Sequence, residues 1–156
     1  MTTIINQAGL QVTATPNTVA ELTPVNTLTN PGPQGLNDNR LLCSARAVNL
    51  NGLGDTLMPI INAGTYSVAN IIVTNASISL TTASFSIYTA PNGASGSGTA
   101  IRAVGTSTGN TGPTVVTQAT VATTATQTVQ GLYFNVGIVQ GAAATADIFV
   151  YGYDLT

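Results

Sequence analysis

The sequence predicts an all-β protein: an antiparallel β-sandwich of about eight strands, best matched by a jelly roll, with an extended N-terminal arm. Three observations carry that reading. Thr is the commonest residue, and β-branched side chains favour pleated, half-buried strands. The 16 Gly and 7 Pro supply turns, whereas long runs of Glu, Lys, Leu and Arg, the strong helix formers, are missing. From residue 41 onward, short alternating apolar runs recur between turn signals at regular spacing, the pattern of a sandwich or barrel.

The first 40 residues differ from the rest. They hold four of the seven prolines, Pro16, Pro24, Pro31 and Pro33, and little sustained periodicity. The run 9–15 reads as one short strand. Thr18-Val-Ala-Glu21 reads as a capping box for a single helical turn, which Pro24 would stop. Residues 29–35, Thr-Asn-Pro-Gly-Pro-Gln-Gly, form a turn or linker. Residues 1–40 are therefore an arm that lies on its own domain or on a neighbour, with Ile4, Ile5, Leu10 and Val12 as its apolar contacts; a plain flexible tail is the alternative.

Residues 41–156 form the sandwich domain. Strands are expected over 41–50, 56–61, 66–75, 83–89, 100–104, 114–121, 127–136 and 147–153. Pro59 makes the second an edge or a bend. In 66–75, Ala69, Ile71 and Val73 share a face. In 83–89, Phe85 and Ile87 point one way and Ser84, Ser86 and Tyr88 the other. A seven-strand immunoglobulin-like sandwich is the rival architecture, although its buried Trp and paired cysteines are absent.

The last strand, Asp147-Ile-Phe-Val-Tyr-Gly-Tyr153, is apolar at both parities. Phe149, Tyr151 and Tyr153 take one face; Ile148, Val150 and Gly152 take the other. A half-exposed strand should alternate with polar residues, so either one face meets the core and the other a subunit, or both are covered within the monomer. Leu132-Tyr-Phe-Asn-Val136 is a milder case and adds Tyr133. Tyrosine is favoured at interfaces because one end is apolar and the other wet.

The charges are Glu21, Asp38, Arg40, Arg46, Asp55, Arg102, Asp147 and Asp154, 5% of the chain, against about a quarter in an ordinary soluble domain. There is no His, Lys or Trp. A Ser-His-Asp triad, a His-ligated metal and imidazole acid–base chemistry are excluded. The five acids fall in no active-site pattern, and Asp38, alone in its loop, cannot make a calcium site. Asp147 or Asp154 could pair with an arginine, across strands or between subunits, in a structural role. Gly93, Gly96 and Gly98 lack the Lys-Ser/Thr and the helix of a phosphate-binding loop. Cys43, the single cysteine, reads as a small buried hydrophobe. Scattered Thr-x-Thr pairs have no fixed period. The expectation is a protein that is not an enzyme and uses no cofactor, metal or small-molecule substrate. A net charge of −2 offers no basic footprint for nucleic acid or anionic lipid. The N-terminus has no positive, then apolar, leader pattern, and no stretch is long and apolar enough for a membrane helix. A surface with so little charge invites association, which fits permanent assembly.

The stretch Tyr66-Ser-Val-Ala-Asn-Ile-Ile-Val-Thr-Asn-Ala-Ser-Ile-Ser-Leu80, then Ser86-Ile-Tyr-Thr-Ala90, Leu132-Tyr-Phe-Asn-Val136 and Gly141-Ala-Ala-Ala-Thr-Ala-Asp-Ile-Phe-Val-Tyr-Gly152, resembles small structural proteins of tailed bacteriophages that decorate or cement the capsid. The likeness covers about residues 60–155 and rests on strand texture. It implies a β-sandwich, often a homotrimer, bound to the major capsid protein outside the shell at threefold or quasi-threefold sites. It also implies synthesis in the host cytoplasm. The alternative is a carbohydrate- or receptor-binding jelly roll, in which Tyr88, Asn92 and loop 91–98 would hold a sugar.

Overall fold

The computed structural model describes residues 2–5, 11–14, 39–93, 96–106 and 110–155. The chain divides into two units, Met1–Gly35 and Leu36–Thr156. In the first, β1 (Thr2–Ile5) pairs antiparallel with β2 (Gln11–Ala14), setting Ile4 opposite Val12 and Ile5 opposite Gln11. A single strand within an extended arm was the expectation, and the described part of the arm is instead a hairpin. The added strand is Thr-Thr-Ile-Ile, four β-branched residues in a row. Leu10, the capping box at 18–21 and the turn at 29–35 lie outside the described residues.

The second unit holds eight strands: β3 (Asn39–Asn49), β4 (Gly54–Pro59), β5 (Tyr66–Thr74), β6 (Ser84–Tyr88), β7 (Ala100–Thr106), β8 (Thr117–Ala119), β9 (Gly131–Ile138) and β10 (Thr145–Asp154). They form two antiparallel four-stranded sheets, ordered β3-β10-β5-β8 and β4-β9-β6-β7. First pairs with last, second with seventh, third with sixth and fourth with fifth. The domain is thus one long hairpin rolled up so that β10 also meets β5 and β9 also meets β6, which is the jelly-roll order. Pro59 ends β4 on a sheet edge, where its missing N–H costs no ladder bond. The expected strand at 114–121 shrinks to three residues. That at 127–136 starts at Gly131, with Gln127 making only a bridge to Tyr66.

The core lies between the sheets. Leu42, Cys43, Met58, Tyr66, Ile87, Leu132 and Ile148 are fully buried, and Phe85 stacks on Phe134 with ring centroids 4.8 Å apart. One expected face needs correction, and a second strand is more buried than alternation reports. In β5 the pairing with β10 slips between Val68 and Asn70, leaving Ala69 as an extra residue. Tyr66, Val68, Ile71 and Val73 therefore face inward, and Ala69 does not; a bulge resets the parity of everything after it. In β6 all five residues are buried, including the outward Ser84 and Ser86. This strand sits inside its sheet, between β9 and β7.

Candidate interaction surfaces

β10 is central in its sheet, between β3 and β5. Ile148 and Val150 are buried in the core, while Phe149 and Tyr151 face outward and are half-buried, and Tyr153 is 40% exposed. The aromatic face of the last strand thus lies outside the core. Register extends it sideways: Tyr151 lies opposite Leu41, and Phe149 opposite Ile72, both half-buried. The sequence signal for Ile72 was the apolar pair Ile71-Ile72, one residue for each face. Leu41 gave no separate signal, because only the register places it beside Tyr151.

Charge borders this face but does not cross it. The Arg46 guanidinium lies 5.1 Å from the Phe149 ring centroid and 3.7 Å from Asp147 Oδ2. Asp147, 7% exposed, accepts the Ala47 N–H at 2.7 Å and Asn75 Nδ2 at 3.4 Å. Ala47 takes a left-handed backbone, φ 49°, which turns its N–H toward that carboxylate and bends edge strand β3. At the other end Arg40 Nη1 meets Asp154 Oδ2 at 3.0 Å. Both aspartates pair across strands β10 and β3 within one chain, one of the two arrangements open to Asp147 and Asp154.

Tyr133 lies elsewhere. It stands on the outer face of the β4-β9-β6-β7 sheet, in a row with Leu57 on β4 and Tyr88 on β6. Leu57 is 54% exposed and leans across Gly131, where an added Cβ would come within 2.7 Å of its Cδ1. Ile4, Ile5 and Val12 belong to the β1–β2 hairpin. The structure thus groups Phe149, Tyr151 and Tyr153, and sets Tyr133 on the opposite sheet.

The sugar-holding arrangement is not supported at Tyr88, whose ring is buried and offers no open platform. Asn92 is tied down, its N–H donating to Asp55 Oδ2 at 2.6 Å, while Asp55 Oδ1 accepts Asn135 Nδ2 at 2.8 Å. Asp38 lies outside the described residues. Among the described residues no three His, Cys, Asp or Glu gather closely enough to hold a metal ion. Cys43 is buried, as its apolar setting predicts, and burial pushes its thiol pKa up to about 12, which suppresses the reactive thiolate.

Sequence reading gave no role to Arg102, on edge strand β7. It is 6% exposed. Its guanidinium lies 3.7 Å from the Phe85 ring centroid and donates to the carbonyls of Phe85, Ala103 (3.2 Å), Gly105 (3.0 Å) and Thr106 (3.3 Å). The β6–β7 ladder breaks here, one β6 residue, Ser86, facing two on β7, Ala103 and Val104, and the guanidinium bonds carbonyls on both sides of the break. No protein-family model matches the chain, and no curated protein matches it.

Proposed function

We propose that this chain is a non-enzymatic structural protein that decorates and cements the outside of a tailed-bacteriophage capsid. In this reading it is made in the host cytoplasm, assembles as a homotrimer and binds the major capsid protein. The observation that carries the reading is the outward aromatic face of β10. A rigid central strand holds Phe149, Tyr151 and Tyr153 outside the core on a chain that is 5% charged. Each aromatic side chain can bury about 150–250 Å², and several copies bridging neighbouring subunits multiply weak contacts into retention. The jelly roll is used in viral shells as well as in lectins, so the fold alone does not decide between them. The resemblance in strand texture and the poverty of ionisable groups favour the shell.

The test joins solution mass to sedimentation with expanded tailed-phage capsids stripped of their decoration. The wild-type chain should run at three times its monomer mass and pellet with the shells. The double variant Phe149→Ser/Tyr151→Ser should stay folded, run as a monomer and bind at least tenfold more weakly. Deleting residues 1–30 should leave the sandwich folded but release it from the shell. A wild-type monomer that stays in the supernatant with every shell tried overturns the proposal.

A further inference from the structure

The flank of the sandwich between β7 and β8 carries a feature that the aromatic face does not explain. Both strands are sheet edges, and β8 is only three residues long. Two clefts open between them, of about 320 and 220 Å³, and both are lined by Arg102, Thr106 and Thr120. Hydroxyl groups and small side chains make the walls, and Val104 and Val116 stand 50% and 64% exposed on β7 and just before β8. Arg102 is the one cation buried here, and its Nε has no hydrogen-bond partner among the described residues.

The charges of the described residues are unequally matched. Arg40 has Asp154 and Arg46 has Asp147. Asp55 is held by Asn92 and Asn135. Arg102 has carbonyl dipoles and an aromatic ring, but no described carboxylate. A buried charge normally requires a charged partner, whereas the β7 carbonyls of Ile101, Ala103, Gly105 and Thr106 are already engaged by Ala122 N and by Arg102 itself.

We propose that this flank receives an extended segment of a partner protein that lies along the β7 edge and brings a carboxylate to Arg102. The segment's apolar side chains meet Val104 and Val116, and its acid neutralises the guanidinium at the orphaned Nε. Two clefts meet at Arg102, one continuing along Ala103 to Gly105 and Ala122 and the other along Val73 and Thr117 to Ala119, and two adjoining clefts suit a peptide better than a small free anion. The inference stands apart from the shell-decorating reading: a trimer that coats capsids and ignores acidic peptides would defeat this proposal alone.

The test uses the full chain, labelled with nitrogen-15, and two blocked pentapeptides, Thr-Val-Glu-Val-Thr and its Gln counterpart. The Glu peptide should shift the amides of 102–106 and 117–122 saturably, and the Gln peptide should bind at least tenfold more weakly. Thr120→Trp, an exposed position whose indole would fill the cleft, should abolish the shifts while the rest of the spectrum stays in place. Equal binding of the two peptides, shifts elsewhere on the surface, or an unaltered response in the Trp variant each overturn the proposal. So does sodium acetate alone reproducing the full pattern, which would mean a small-anion site only.

Discussion

The two flanks of the sandwich are built from the same parts and closed in different ways. On the β3/β4 flank the chain leaves β4 and crosses to the other sheet, where Ile61 N donates to Leu42 O at 2.8 Å. Arg40 reinforces the crossing. Its Nη2 donates to the carbonyls of Ile61 (3.1 Å) and Asn62, and its Nη1 rests on Asp154. On the β7/β8 flank the chain also crosses, with Ala122 N donating to Ile101 O at 2.7 Å. There the arginine turns back on its own sheet, and the clefts remain. An arginine anchored by an acid can also hold the crossing chain, whereas one without an acid takes the carbonyls nearest to it. In a chain with five acids, the placement of each decides which flank is sealed.

Two glycines give the largest test of that difference. On β10, between β3 and β5, a Cβ on Gly152 would overlap the Ser67 carbonyl oxygen and sit 2.7 Å from Leu42 Cδ1. Backbone cannot move aside cheaply, so Gly152→Ala should cost about 3 kcal/mol. On β7 a Cβ on Gly105 would meet Arg102 Nη2 at 3.1 Å, the far end of a flexible side chain. Gly105→Ala should cost less than about 1 kcal/mol. Urea midpoints at constant slope measure both. Equal losses would mean that the β7 edge is packed as tightly as the interior of the β3-β10-β5-β8 sheet.

The arginines give a second, smaller contrast. Arg40→Met removes the ion pair with Asp154 and the donors to the Ile61 and Asn62 carbonyls that hold the crossing chain, and should cost about 2 kcal/mol. Arg102→Met strands no charge. It loses the bonds to Phe85, Ala103, Gly105 and Thr106, yet also removes a buried cation with no described acid beside it. The net cost should be about 1 kcal/mol or less. Thermal melts of the two variants side by side decide the matter. An Arg102→Met loss as large as that of Arg40→Met would show that the carbonyl cluster and the Phe85 ring alone hold a charge as firmly as a carboxylate does.

What the sequence revealed and what it hid divide along the same physical line. Periodicity exposed the eight strands, and both-parity apolarity in 147–153 exposed the outward Phe149, Tyr151 and Tyr153, because these are properties of one strand read along its length. Ala69 was assigned to the wrong face, since a bulge depends on the partner strand's register. Ser84 and Ser86 point away from Phe85 and Ile87 as alternation predicts, but alternation reports direction and not burial, so their full burial had no sequence signal. The joining of Leu41 and Ile72 to the aromatic row, and the role of Arg102 in bridging a broken ladder, come from pairings between residues far apart in sequence. No local pattern encodes those.

The smallest predicted effect gives the two flanks opposite signs in alkali. On β3, burial raises the Cys43 thiol from 9.0 to about 12; on β5, burial and then the Cys43 charge raise the Tyr66 phenol, whose hydroxyl donates to Val129 O at 2.9 Å. Groups whose pKa rises on folding stabilise fully below their unfolded pKa and lose that contribution as pH climbs toward the folded value. On β7, burial lowers the Arg102 guanidinium from its ordinary value to about 10. In that window the unfolded chain holds the proton more tightly, so the Arg102 contribution improves with pH above about 10. Unfolding free energy should therefore fall by about 1 kcal/mol between pH 9 and about 10, as the unfolded thiol ionises and the folded one does not. Cys43→Val should flatten that fall. Arg102→Met should leave it intact but steepen the decline above about pH 10, where the opposing contribution has gone. Denaturant titrations at stepped pH measure each slope. A Cys43→Val curve as steep as wild type would place the alkaline sensitivity outside the β3 flank and remove the contrast in sign.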